Sequence, residues 1–141
     1  MALSYESLDA ALDRVERYGS AGEKQIARAL AGYGVRFLYE HPVAVIDRGK
    51  VRLWYPDVLL TDYGIAIEYL GIEHDEDYSR GAEHREAVFQ DAGIPYLTIR
   101  PSDLRGEWPK RFLERIHGLL EERLARFEAD SAYGLDEEGR E

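Results

Sequence analysis

Apolar residues recur every three or four positions over residues 4–18, where Leu8, Ala11, Leu12 and Val15 line one side of a predicted helix. Ser4 suits its N-cap, with Glu6 and Asp9 near the positive end of the helix dipole. Gly19-Ser20-Ala21-Gly22 interrupts the pattern. A second helix is predicted from Ser20 or Glu23 to Tyr33, with Ile26, Ala29, Leu30 and Tyr33 turned inward. Glu23, three residues before Ile26, lies at the helix start on that inward side. Gly32 or Gly34 ends the helix.

The period then shortens. Residues 35–46 alternate loosely and carry Pro42, which reads as an edge or bulged strand. Asp47-Arg48-Gly49-Lys50 reads as a hairpin turn, and residues 51–60 as the returning strand. After the turn Thr61-Asp62-Tyr63-Gly64, residues 65–70 are nearly all apolar, as expected of a central strand. Residues 71–78 read as a polar loop. Residues 79–92 read as a helix with Ala82, Val88, Phe89 and Ala92 near its inner face, and with His84 and Arg85 on a charged face. Residues 95–100 form a fourth strand. Past Pro101, Ser102 and Asp103 suit the cap of a short turn. A long helix over 108–127 carries the stripe Trp108, Phe112, Ile116, Leu119, Leu120 and Phe127.

The predicted order is α-α-β-β-β-α-β-α. A three-stranded meander followed by a helical crossover implies an α/β fold, with a mixed four-stranded sheet flanked by helices. There is no internal repeat and no long linker. The expectation is one domain over 1–129 and an acidic, flexible tail over 130–141.

Composition narrows the chemistry. With 141 residues, 45% hydrophobic and 11% aromatic, the chain is long and apolar enough for a core. It has no cysteine, which excludes disulfides, zinc–thiolate sites and cysteine nucleophiles. The first residues have neither a basic region nor an apolar run of the signal-peptide kind, and no apolar run approaches the ~18 residues of a membrane span. A cytoplasmic protein with no membrane partner is expected. The net charge of −10 argues against a generic nucleic-acid-binding surface. Asp130, Asp136, Glu137, Glu138 and Glu141 concentrate part of it in the tail, but the remainder is still acidic. Contact with DNA must therefore be local, or shared with a protein partner. The basic stretch Arg48-Gly49-Lys50-Val51-Arg52 is one local candidate for gripping a phosphate backbone; a charged edge that deters aggregation is the other reading.

The chemistry centres on residues 54–74, WYPDVLLTDYGIAIEYLGIEH. Asp57 follows a proline on one strand, and Glu68 sits inside the apolar run of the next. A buried carboxylate without a partner costs several kcal/mol. Two on adjacent strands suggest a site for a divalent cation.

These residues and their placement resemble the PD-(D/E)xK nuclease superfamily, the restriction-endonuclease-like fold, and within it the small very-short-patch-repair-like endonucleases. The resemblance covers about residues 20–120. Glu23 matches the helix glutamate before the sheet, Pro56-Asp57 the P-D pair, and Glu68-Tyr69-Leu70 the (D/E)-x-K tripeptide. Gly71, His74, Arg85 and the run from Gly93 to Leu104 match the downstream residues of the repair-like group. The resemblance implies a Mg²⁺- or Mn²⁺-dependent endonuclease acting on DNA. Asp57, Glu68 and the Tyr69 carbonyl would hold the ion, with Glu23 acting through water or on a second ion. Arg85 and Lys24 would join Arg48, Lys50 and Arg52 in contacting nucleic acid.

Leu70 stands where the motif has lysine, and it can neither stabilise an anion nor move a proton. His74 or Lys24 is expected to substitute, and the cleavage is expected to be weak. A second reading stays open: a catalytically inactive module of this fold that binds protein or nucleic acid.

Overall fold

Two prolines break what the sequence suggests are two long strands into four short ones. The computed structural model describes residues 7–72 and 75–139. Proline has no N–H for a strand ladder. Around Pro42, β1 (Phe37–Tyr39) separates from β2 (Val43–Asp47). Around Pro56, β3 (Lys50–Trp54) separates from β4 (Val58–Leu60). Glu40, between β1 and Pro42, takes a left-handed φ of 51°. The inner halves β1 and β4 enter the main sheet. The outer halves β2 and β3 form a separate two-stranded ribbon. The turn between them places Arg48 and Gly49 at φ 52° and 78°. Two positive φ values in succession mark the tight turn whose twist matches a hairpin.

The main sheet has the order β1-β4-β5-β6, with β5 spanning Ile65–Tyr69 and β6 spanning Tyr96–Ile99. β4 runs antiparallel to both β1 and β5, and β6 runs parallel to β5. The chain is therefore α/β with a mixed four-stranded sheet, as the element order predicted. β5 is central, and Ile65, Ala66 and Ile67 are fully buried.

Alternation along β5 serves the two faces of the sheet. α1 (Leu8–Tyr18) and α2 (Ala21–Gly32) precede the sheet. Ser7 caps α1, its Oγ accepting from the Ala10 N–H at 3.1 Å, so the cap is three residues later than Ser4. Ala11 and Val15 are the buried side of α1. On α2 the buried set is Gly22, Ile26, Ala27 and Leu30; Tyr33, expected inside, is half exposed. Tyr69 on β5 faces α2 and packs on Gly22, where a Cβ would stand 2.1–2.5 Å from the phenol ring. Only glycine lets helix and strand come this close.

α3 (Glu76–Asp91) covers the other face and makes the crossover from β5 to β6. It starts three residues earlier than the composition suggests. Asp75 caps it by accepting from the Tyr78 N–H at 3.0 Å, and Glu76 and Asp77 favour the first turn. Phe89 of α3 stacks on Tyr96 at 5.2 Å and meets Trp54 edge-on at 5.7 Å. This joins the ribbon, the helix and the sheet in one core with Val45, Ala66 and Val88.

The chain separates into two compact units, Met1–Gly106 and Glu107–Glu141. The second consists of α4 (Trp108–Gly139), which continues well past the predicted end at Phe127. Phe112 and Ile116 are buried on it, while Leu124 and Phe127 are exposed. No helix among the described residues is long and apolar enough to cross a membrane.

Gly22→Ala is expected to push the Tyr69 ring away, with an overpacking cost of about 1–3 kcal/mol read as a lower urea midpoint. An unchanged midpoint would show that the helix can retreat from the strand without loss.

Candidate functional site

Pro56 makes the site by ending the β3 strand early. The β4–β5 ladder runs only from Val58↔Ile67 to Leu60↔Ile65. The Tyr69 N–H lies beyond it, and the Asp57 carboxylate accepts that N–H, Oδ2 to N 2.7 Å. The Asp57 carbonyl accepts from the Glu40 N–H at 3.1 Å and holds the same residue to the other side. Asp57 is thus fixed at the mouth of the sheet through its backbone and its side chain.

Glu68 is adjacent. Each carboxyl acts on the other: the charge of Glu68 raises Asp57, and a hydrogen bond with Asp57 acts to lower Glu68. Burial pushes Asp57 up to about 8, and the negative charges of Glu68 and Glu23 add to it against the Tyr69 N–H. Burial also raises Glu68, while Arg85 opposes the rise. With Asp57 at about 8, its carboxyl keeps its proton at neutral pH when no other cation is present.

Glu23 reaches this end of the sheet from the start of α2. Ser20 and Glu23 form a capping box: the Glu23 N–H donates to Ser20 Oγ at 3.2 Å, and Glu23 Oε1 accepts from the Ser20 N–H at 2.8 Å. The cap holds the side chain, yet its charge still acts on Asp57, Glu68 and the phenol of Tyr39. Glu23 borders the carboxylate pair as the sequence suggests, with part of its hydrogen-bonding capacity committed to the helix.

The cation beside the pair is Arg85, which the sequence places on a charged helix face. It sits three residues after Ala82 and four before Phe89, both buried, so it shares their inner side of α3. That spacing is the available signal. Arg85 Nε is 3.9 Å from Glu68 Oε1, with the Arg85 side chain 32% exposed and that of Glu68 13%. Arg85 Nε and the Tyr96 hydroxyl are both buried without a hydrogen-bond partner, although the two side chains interact electrostatically. Tyr96, whose phenol is pushed up by burial and by Glu68, is a site residue that the sequence pattern does not single out.

The other expected participants fall elsewhere. Leu70 is wholly buried and its N–H pairs with the Ile99 carbonyl, so nothing polar enters from the motif's lysine position. The charge of Lys24 acts on Glu16 of α1. His84 pairs with Asp47 at 3.0 Å. His74 lies outside the described residues. Arg48, Lys50 and Arg52 are exposed on the ribbon, and β3 leads from them through Tyr55 and Pro56 into Asp57.

Among the described residues no group of three or more His, Cys, Asp or Glu side chains could hold a metal ion. The donor set that the sequence resemblance implies would be the Asp57–Glu68 pair with the Tyr69 carbonyl. Its chemistry fits a hard divalent cation of the Mg²⁺ type, which commonly takes one or two carboxylates and keeps waters for its other positions. Comparison with protein-family models, curated proteins and solved structures finds no match for the chain.

The raised Asp57 predicts how stability changes with pH. Its folded-state pKa is above that of the unfolded chain, so its contribution is present at low pH and lost as pH rises toward about 8. Thermal melts in EDTA are expected to show a wild-type Tm that falls from pH 5 to pH 8. Asp57→Asn should flatten that fall and melt several degrees higher at pH 8, consistent with about 1.4 kcal/mol per unit of pKa difference. Parallel pH curves for the two proteins would refute the raised Asp57 carboxyl.

Proposed function

We propose that this chain is a divalent-metal-dependent nuclease that hydrolyses phosphodiester bonds of DNA, in a site of the PD-(D/E)xK type on a restriction-endonuclease-like fold. The observation that carries the reading is the paired Asp57 and Glu68 at the mouth of a mixed sheet, bordered by Glu23 and faced by Arg85. Asp57, Glu68 and the Tyr69 carbonyl are the residues that would hold Mg²⁺ or Mn²⁺. Bound there, the ion supplies a Lewis acid and a water of lowered pKa.

The chain's own residues divide the remaining work. The Tyr69 N–H holds Oδ2 of Asp57. Arg85 favours the ionised form of Glu68 and places a positive charge where a phosphate would add negative charge. Burial of Leu70 leaves the site without the strand-borne lysine, so activity is slow and depends on the helix-borne arginine.

A second reading has its own support. A proton on Asp57 and the charge of Arg85 can balance the pair without any metal, as in a domain that keeps the fold for binding alone.

A cleavage assay separates the two. Single-stranded, duplex and mismatched DNA and RNA are incubated with Mn²⁺ or Mg²⁺. Slow cleavage is expected, stronger with Mn²⁺ and abolished by Asp57→Ala or Glu68→Gln. Arg85→Ala is expected to slow it ~10²-fold or more, the scale of removing one electrostatic stabiliser of the transition state. Calorimetry should show Mn²⁺ affinity rising as pH approaches about 8, because binding displaces the Asp57 proton. A wild type that neither takes up Mn²⁺ nor cleaves any of these substrates would leave the binding module as the correct reading.

A further inference from the structure

We propose that Tyr96 is the positioning residue for Arg85: its hydroxyl takes the inward Nε–H of the guanidinium, which leaves the terminal nitrogens to meet the phosphate being cut. The inference rests on the nuclease reading for that phosphate, and on the packing of α3 against β6 for the contact itself.

Register puts the phenol on the face that matters. Along the parallel ladder Tyr96 pairs with Ala66, and Thr98 with Glu68. Residues two apart on a strand share a face, so Tyr96 stands on the face that carries Glu68. α3 covers this face. Phe89 lies flat on the Tyr96 ring, with 5.2 Å between centroids and 12° between planes. Arg85 is four residues before Phe89, one turn along the same side of the helix. The stack holds the ring, and the guanidinium acts on its hydroxyl.

The unmatched polar atoms show what that hydroxyl is for. Among the described residues, Arg85 Nε and the Tyr96 hydroxyl are the buried side-chain polar atoms with no hydrogen-bond partner. Tyr96 is only 5% exposed. Phenylalanine would stack on Phe89 equally well and would bury no polar group, so the hydroxyl is a cost unless it is used. A guanidinium only donates, whereas a phenol both donates and accepts. A turn about the Arg85 Cδ–Nε bond aims the N–H at the phenol oxygen and satisfies both atoms at once. The phenol's own proton is then available to Glu68, whose charge acts on the same hydroxyl.

Glu68 does not orient the guanidinium by itself. Arg85 Nε and Glu68 Oε1 are 3.9 Å apart, which is an attraction of charges and not a hydrogen bond. Such an attraction sets a distance and leaves the plane of the guanidinium free to turn. That plane decides whether its terminal nitrogens can bond a phosphate side by side. Nη1 lies back over the preceding turn of α3, 3.6 Å from where a Cβ on Gly81 would stand. A hydrogen bond at Nε adds the second fixed point that defines the plane.

The test reads the contact and the chemistry separately. Proton–nitrogen NMR spectra resolve arginine Nε–H groups, and Arg85→Lys identifies the Arg85 signal by its loss. That Nε–H is expected to exchange with water about tenfold faster in Tyr96→Phe than in the wild type, while the backbone amide signals confirm that the fold is kept. In the Mn²⁺ cleavage assay Tyr96→Phe is expected to lower kcat about tenfold and to leave KM and Mn²⁺ affinity unchanged. In the Arg85→Ala background the same substitution should cost less than about twofold, because its partner is already gone.

Equal Nε–H exchange in the wild type and Tyr96→Phe would overturn the proposal, as would losses in kcat that multiply in the double variant. A change in KM or Mn²⁺ affinity with kcat intact would overturn it equally. A wild type that cleaves nothing would instead count against the nuclease reading, and the exchange measurement alone would then decide whether Tyr96 holds Arg85.

Discussion

Two carboxylates held together and partly withdrawn from water are the constraint on which the rest of the described site depends. Placing Asp57 beside Glu68 raises the energy of the ionised pair through desolvation and mutual repulsion. A folded chain can tolerate that only with compensation built around it. The Tyr69 N–H, the Arg85 guanidinium and a retained proton each offset part of the cost. Each comes from a different element, so the pair links β4, β5 and α3, with the start of α2 adding its own negative charge.

The local backbone explains why those elements meet there. Pro56 stops β3 and turns the chain so that the Asp57 side chain, and not another strand carbonyl, meets the Tyr69 N–H. Gly22 brings α2 into contact with the Tyr69 ring, which fixes the capping box of Ser20 and Glu23 beside the same end of the sheet. Phe89 holds α3 between Tyr96 and Trp54, so Arg85, one turn earlier, faces Glu68. Removing any one of these packing contacts moves a charge and not merely a side chain.

Much of this is legible from pattern alone. Residue periodicity predicts the helices before the sheet, the Arg48-Gly49 turn, the central β5 and the parallel β6 after a helical crossover. An acid inside the apolar run of β5 points to Glu68. Three features are hidden for physical reasons. In the sequence Pro42 and Pro56 read as irregularities within strands, whereas the missing N–H groups divide each strand between two sheets. Asp75 resembles the other acids of its loop until its hydrogen bond to the Tyr78 N–H makes it a cap. Arg85 is expected from the sequence as a nucleic-acid contact on a charged helix face, and its pairing with Glu68 shows only in its spacing from Ala82 and Phe89. Long cationic side chains can share an apolar face while their heads find a carboxylate.

The position of the cation has a mechanical consequence. A lysine two residues after Glu68 would be carried by β5, and its place would be set by the sheet. Here that position is filled by Leu70 in the core, and the positive charge comes from α3. Its distance from Glu68 is then governed by how α3 packs on the sheet through Phe89, Val88 and Tyr96. The same packing anchors the ribbon through Val45 and Trp54. α3 therefore couples the charge balance of the carboxylate pair to the seating of the ribbon, through one hydrophobic cluster. A shift of that helix would alter both together, whereas a substitution on the outer face of the ribbon leaves the carboxylates as they are.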